Sequence, residues 1–161
     1  MQAQPEPAHR WLHKLVGEWT YDGEAAMDPD KPPQPFSGGT ESVRSIGGLW
    51  VVAEGRGTMP DGDPSTSLMT LGYDPRKGRV TGSWIGSMMP HFWLYDGALD
   101  EAGNVLSLES DGPDFSDQSK TGRFRDVIEF KSDDHRVLTA SVRGEDGAWT
   151  TFMTAHYRRK K

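Results

Sequence analysis

Five histidines are the side chains best suited to acid–base or metal chemistry in this 161-residue chain. His9 and His13 stand one helical turn apart, a spacing that suits two metal ligands on one helix face. No third ligand accompanies them in sequence, and both read as solvated surface. His135 sits in an acidic turn and reads as exposed. His91 is different: Met88-Met89-Pro90-His91-Phe92-Trp93 is the most apolar stretch of the chain. Such a stretch suits a cavity mouth, where Met and aromatic side chains adapt to a ligand. It suits equally a cap on the core or a dimer contact. His156 belongs to the run Thr151-Phe152-Met153-Thr154-Ala155-His156-Tyr157. Pointing inward, it would be placed as an axial haem ligand.

Charged residues inside extended segments form a second group. Glu41 and Arg44, Glu54 and Arg56, Arg123 and Arg125, Glu129, and Arg143 all occur within alternating runs. An inward arginine commonly holds a carboxylate or pairs with an inward glutamate. Arg125 with Glu129, and Arg44 with Glu54, are the preferred interior pairs, although parity alone leaves the face open. The chain has no Gly-x-Ser-x-Gly elbow, His-Glu-x-x-His, phosphate loop or dinucleotide fingerprint. The loop aspartates Asp61, Asp63, Asp111, Asp114 and Asp117 do not match a calcium loop with its closing Glu. No catalytic residue, metal or cofactor is therefore expected.

The elements that must position these residues are mostly strands. Ala8 to Val16 places Ala8, Trp11, Leu12 and Leu15 at helical spacing and stops at Gly17. From Gly17 onward, turn signals recur at Asp61-Gly62, Pro75 to Gly78, Met89-Pro90, Asp100 to Asn104, Asp111 to Ser119, Ser132 to Asp134 and Glu145 to Gly147. The intervals each hold one strand, and none holds a crossover helix, which excludes a parallel sheet. About ten antiparallel strands in a meander hide their two edges most simply by closing. Leu, Ile, Val and Phe supply only 28 residues, whereas six Trp, four Tyr and seven Met are present. Bulky aromatics with few aliphatics suit a barrel around a cavity rather than a packed bundle.

Within that frame, Leu15-x-Gly17-x-Trp19, Gly47-Gly48-x-Trp50, Leu71-Gly72-Tyr73-Asp74, Trp84, Gly97 and Tyr157-Arg158 resemble a bacterial domain-of-unknown-function family with lipocalin-like (calycin-like) barrels. The likeness runs from about Trp11 to Arg158. It implies an all-β, antiparallel up-and-down barrel whose N-terminal segment plugs one end, and it implies no reaction. The haem alternative through His156 resembles the nitrobindin type of barrel, but the glycine-rich first strand of that type is missing here.

Together these features predict a flexible lead over residues 1–7 and a single barrel domain over 8–161. Its expected ligand is a small apolar or amphipathic molecule, contacted by Trp50, Trp84, Met88, Met89, His91, Trp93, Tyr95, Arg125 and Glu129. A lyase or isomerase using His91 or an interior Glu–Arg pair is the enzymatic alternative. The net charge of −6 argues against nucleic acid or an anionic membrane as partner. No apolar run reaches the ~20 residues that span a bilayer. The N-terminus lacks the pattern of a signal peptide, so a cytoplasmic monomer or homodimer is expected.

Overall fold

In a computed structural model, described for residues 2–26 and 28–161, the chain forms one short helix and ten strands. Met1, part of the expected lead, lies outside the described residues. Helix α1 spans Pro7–His13. Proline suits its first turn, where an amide hydrogen would lack a helical partner. The ring of His9 reaches back so that Nδ1 accepts the Glu6 amide at 2.9 Å, which satisfies one orphan donor of the helix start. The helix ends earlier than the apolar spacing predicts. The Leu15 and Val16 amides bond Leu12 and His13 carbonyls three residues back, the tighter winding usual at a terminus. Gly17 follows at φ 138, a conformation that residues with a Cβ rarely adopt.

The strands are β1 (Gly17–Ala25), β2 (Gln34–Ile46), β3 (Trp50–Thr58), β4 (Pro64–Asp74), β5 (Arg79–Gly86), β6 (Met89–Leu99), β7 (Val105–Pro113), β8 (Thr121–Ser132), β9 (His135–Arg143) and β10 (Trp149–Arg159). Each pairs antiparallel with its neighbours in sequence, and β1 pairs with β10 from Trp19↔Arg159 to Ala25↔Met153, closing the barrel. Closure leaves neither the first nor the last strand as a free edge. The all-β, up-and-down barrel of about ten strands with an N-terminal helix is therefore the observed fold.

Helix α1 covers the end formed by the β2–β3, β4–β5, β6–β7 and β8–β9 turns. Its anchors reach three of those turns or the strands entering them. His9 Nε2 meets the Tyr73 carbonyl at 3.2 Å, the Trp11 indole donates to the Gly103 carbonyl, and Trp11 packs edge-on against Phe130 at 5.5 Å. Arg159 clamps the connection to β1 by donating to the Val16 and Lys14 carbonyls at 2.8 and 3.0 Å. Leu12, Leu15, Trp19, Val51, Leu71, Val80, Leu106 and Ile128 fill this half of the interior. His9 is thus not the solvated residue that its spacing suggests; it is buried because it ties the helix to β4.

Two-residue alternation sets the faces of every strand. In β3 it turns Val51, Ala53 and Gly55 inward, so Trp50 lies outside, 44% exposed, with its ring across Gly72 of β4. The expectation that Trp50 contacts a ligand inside the barrel is corrected accordingly: the shelf that receives the ring is a glycine on the outer face. Replacing Trp19, which is buried and donates to the Leu15 carbonyl at 2.8 Å, by alanine should cost about 3–5 kcal/mol. Trp50→Ala should cost about 1 kcal/mol or less. Urea unfolding of the two variants measures the contrast.

Candidate functional site

The half of the barrel away from α1 is hollow, enclosing a cavity of about 280 Å³. Its floor is a charged pair. Alternation with Val43 turns Glu41 inward from β2, and alternation with Leu138 and Ala140 turns Arg136 inward from β9. The Arg136 Nη2 donates to Glu41 Oε1, and both side chains are buried. The guanidinium also lies over two aromatic faces, 4.0 Å from the Tyr157 ring centre and 4.7 Å from that of Trp19. Arginine suits such a site because its planar cation stacks and bonds at once. Its Nε is sealed and has no partner. Burial, reinforced by the Glu41 carboxylate, pushes the Tyr157 phenol far above its ordinary range.

The wall carries a third charged group. The β8 run Phe124-Arg125-Asp126-Val127-Ile128-Glu129-Phe130 turns Phe124, Asp126, Ile128 and Phe130 inward. The Tyr95 hydroxyl of β6 donates to Asp126 Oδ2 at 2.7 Å. Burial raises the Asp126 carboxyl to about 6, against the pull of that hydrogen bond. Burial and the adjacent Asp126 carboxylate in turn push the Tyr95 phenol well up. Toward the opening the walls are apolar, with Met69, Trp84 and Phe124 among the lining side chains. Phe36, Met88, Phe115 and Phe152 stand at the open end. Phe152 reaches the lining because the β9–β10 register shifts between Thr151 and Met153.

One seam of the barrel is split beside this opening. Strands β6 and β7 pair only from Asp96↔Glu109 to Leu99↔Leu106, so Met89 to Tyr95 have no β7 partners. Side chains bridge the split instead. His91 Nε2 lies 3.0 Å from the Asp111 carbonyl. The Trp93 ring covers Gly112, where an added Cβ would sit 2.1 Å from the ring, and the His91 and Trp93 rings meet edge-on at 4.6 Å.

Of the side chains expected at a cavity, Trp84, Met88, Met89, Trp93 and Tyr95 line this one. His91 latches the split rather than lining the cavity. Trp50, Arg125 and Glu129 face outward. Arg125 stacks at 4.2 Å on Trp149 outside the barrel, and Glu129 accepts from Lys131 at 3.0 Å. Their inward neighbours are Phe124, Asp126 and Ile128, so the parity expected for Arg125 and Glu129 was the wrong one. Arg44 and Glu54 are likewise outside, and Glu54 bonds Arg56 at 2.6 Å. His156 also lies outside, 3.0 Å from His135 Nε2, because Ala155 and Tyr157 take the inward positions of β10. That orientation removes it as a haem ligand within the cavity. Among the described residues, no three His, Asp or Glu side chains gather to hold a metal ion.

Arg136 and Asp126 were not singled out from sequence. The signal existed: Phe124-x-Asp126-x-Ile128-x-Phe130 and Arg136-x-Leu138-x-Ala140 are period-two rows in which one member is charged.

These features define a closed antiparallel barrel, filled at its helix-capped end and hollow at the other. The chain belongs to the family described as "Protein of unknown function (DUF1579)", whose model matches residues 4–159. Among solved structures, Rv2717c from M. tuberculosis is similar, with 16% identity and a TM-score of 0.66 over 98% of this chain and 100% of that one. The S-type phycobiliprotein lyase CPES from Guillardia theta has 11% identity and a TM-score of 0.62 over 96% and 93% of the two chains. EF1p2_mFAP2b bound to DFHBI has 14% identity and a TM-score of 0.50 over 94% and 98%. At these identities the likeness is one of fold. No curated protein matches the chain in sequence. No helix among the described residues is long and apolar enough to cross a membrane.

Asp126 makes the fold sensitive to pH in a definite direction. Its carboxyl titrates near 6 in the folded chain and near 4 when unfolded. Between those values the folded state binds more protons, so this group's contribution to stability falls as pH rises from about 4 to about 6 and stays low above. Asp126→Asn should therefore stabilise the protein by about 1–3 kcal/mol at pH 7–8, with the gain vanishing below about pH 4. Urea unfolding across that range reads the difference.

Proposed function

We propose that the hollow half of the barrel binds a small apolar or amphipathic molecule, contacted by Trp84, Met88, Met89, Trp93 and Tyr95. One observation carries this reading. The enclosed volume of about 280 Å³ has apolar, Met- and Trp-bearing walls with polar groups converging at depth, the composition expected of a ligand site. A core meant only for stability would fill that space, because empty volume costs packing energy. The fold is also one that accommodates small molecules, since EF1p2_mFAP2b is bound to DFHBI.

The molecule enters beside Met88 to Trp93, through the mouth and the adjoining split between β6 and β7. Widening the split breaks no β6–β7 backbone ladder above Asp96. It requires release of the His91–Asp111 contact and rotation of the Trp93 ring from Gly112. His91 is thus a latch on the path rather than an acid or base, and the Met pair supplies a deformable rim.

The neutral fluorophore N-phenyl-1-naphthylamine tests this directly. It should bind at one site with a blue-shifted emission and quench tryptophan fluorescence. Met89→Arg should weaken it about tenfold by placing a charge at an apolar rim. His91→Ala should accelerate its exchange, read by stopped flow, with little change in affinity. Wild-type behaviour in both variants would place the entrance elsewhere. A changed sedimentation profile in Met89→Arg with unchanged binding would make the Met patch a contact between copies of the chain.

A further inference from the structure

The charges facing the cavity do not balance. Its charged lining residues, among those described, are Glu41, Asp126 and Arg136. Arg136 is committed to Glu41 and to the rings stacked against it. Its Nε is sealed from the cavity without a partner, and the side chain as a whole is 2% exposed. Asp126 receives one neutral donor, the Tyr95 hydroxyl, on Oδ2. Its Oδ1 has no protein partner and is not among the sealed atoms, so it stands open to the cavity. No lysine, histidine or second arginine lines that space. A carboxylate kept at such depth with one open oxygen is costly unless a cation meets it.

We infer that the molecule held here carries a protonated amine, which ion-pairs with Asp126 while its apolar part fills the aromatic and Met-lined space above. This rests on the reading that the cavity binds a small molecule, and it names the polar end of that molecule. An ammonium supplies what the protein leaves out: a charge for the unpaired carboxylate and N–H donors for its open oxygen. Aromatic faces lining the same cavity, Trp84, Trp93 and Tyr157 among them, add cation–π attraction. A ligand carboxylate would meet two like charges and an arginine already engaged.

Protonation governs the site. Asp126 faces Tyr95 from β6. The other titratable groups at the cavity are Tyr21 on β1, Glu41 on β2, Arg136 on β9 and Tyr157 on β10, while β7 presents Leu108 and Ser110 and β9 also presents Leu138 and Ala140. Upward shifts keep the tyrosines neutral, and Asp126, titrating near 6, switches between acid and neutral pH.

Octylamine, octanol and octanoate share one tail and differ only at the head, so calorimetric titration with the three reads the head alone. At pH 8 octylamine should bind about tenfold or more tighter than octanol, and octanoate weakest. Asp126→Asn should abolish the advantage of octylamine and leave octanol within about twofold. In the wild type the advantage should shrink at pH 5, where the amine is still charged and the carboxyl is not; this arm needs no variant. Equal binding of octylamine and octanol, preference for octanoate, or an equal loss of both in Asp126→Asn would overturn the amine while leaving a binding cavity. Failure of all three, and of the neutral fluorophore, would overturn the cavity reading as well.

Discussion

The Arg136 guanidinium is the piece on which the interior depends. Closing the barrel requires β1 and β10 to meet, and the strands flanking that seam are β2 and β9. Glu41 on β2 and Arg136 on β9 bond to each other across the inner face of the seam, while Trp19 on β1 and Tyr157 on β10 stack on the same cation. Glu41 is the register partner of Trp19, and Arg136 that of Tyr157. A one-residue slip in any of these pairings would turn an inward member out to solvent. The ion pair is therefore better understood as fixing register than as adding stability, since buried pairs offset much of their attraction by desolvation.

From that floor the division of the barrel follows. Toward α1, the leucines and valines pack densely against Trp11, Leu12 and Leu15. Away from it, the inward positions of β3 and β4 are small or unbranched: Gly55, Ser65, Ser67, Met69. Small side chains on the strands beside Trp84 leave room that the bulk of Trp84, Trp93 and Tyr95 alone would not. The polar groups sit where the two regions meet, so the cavity has a charged bottom and an oily rim.

How much of this was legible depended on whether a pattern was local. Turn spacing and the absence of crossover helices sufficed for the barrel, and the family resemblance carried by Leu15-x-Gly17-x-Trp19 and its companion motifs implied the plugged end. The run Met88 to Trp93 announced itself by composition, and Met88, Met89 and Trp93 from it reach the cavity. Faces were harder, because period two fixes which residues share a side but not which side is in. For β8 the answer lay in the neighbours: Phe124, Ile128 and Phe130 outweigh Arg125 and Glu129, and they carry Asp126 inward with them. The Glu41–Arg136 pair spans 95 positions and exists only once the sheet closes, so no window of sequence contains it. The outward turn of Trp50 likewise depends on a glycine on the next strand.

An even number of strands returns the chain to the end where it began. Pro7, at the start of α1, and Arg159, at the end of β10, both lie at the capped pole, and every loop at the hollow pole is internal to the chain. Anything joined covalently at either terminus, whether a solid support or a fused protein, consequently hangs from the sealed face and leaves the aperture unobstructed. The loops around that aperture, in turn, can vary in length without disturbing the seam, because each merely joins two strands already held by the sheet.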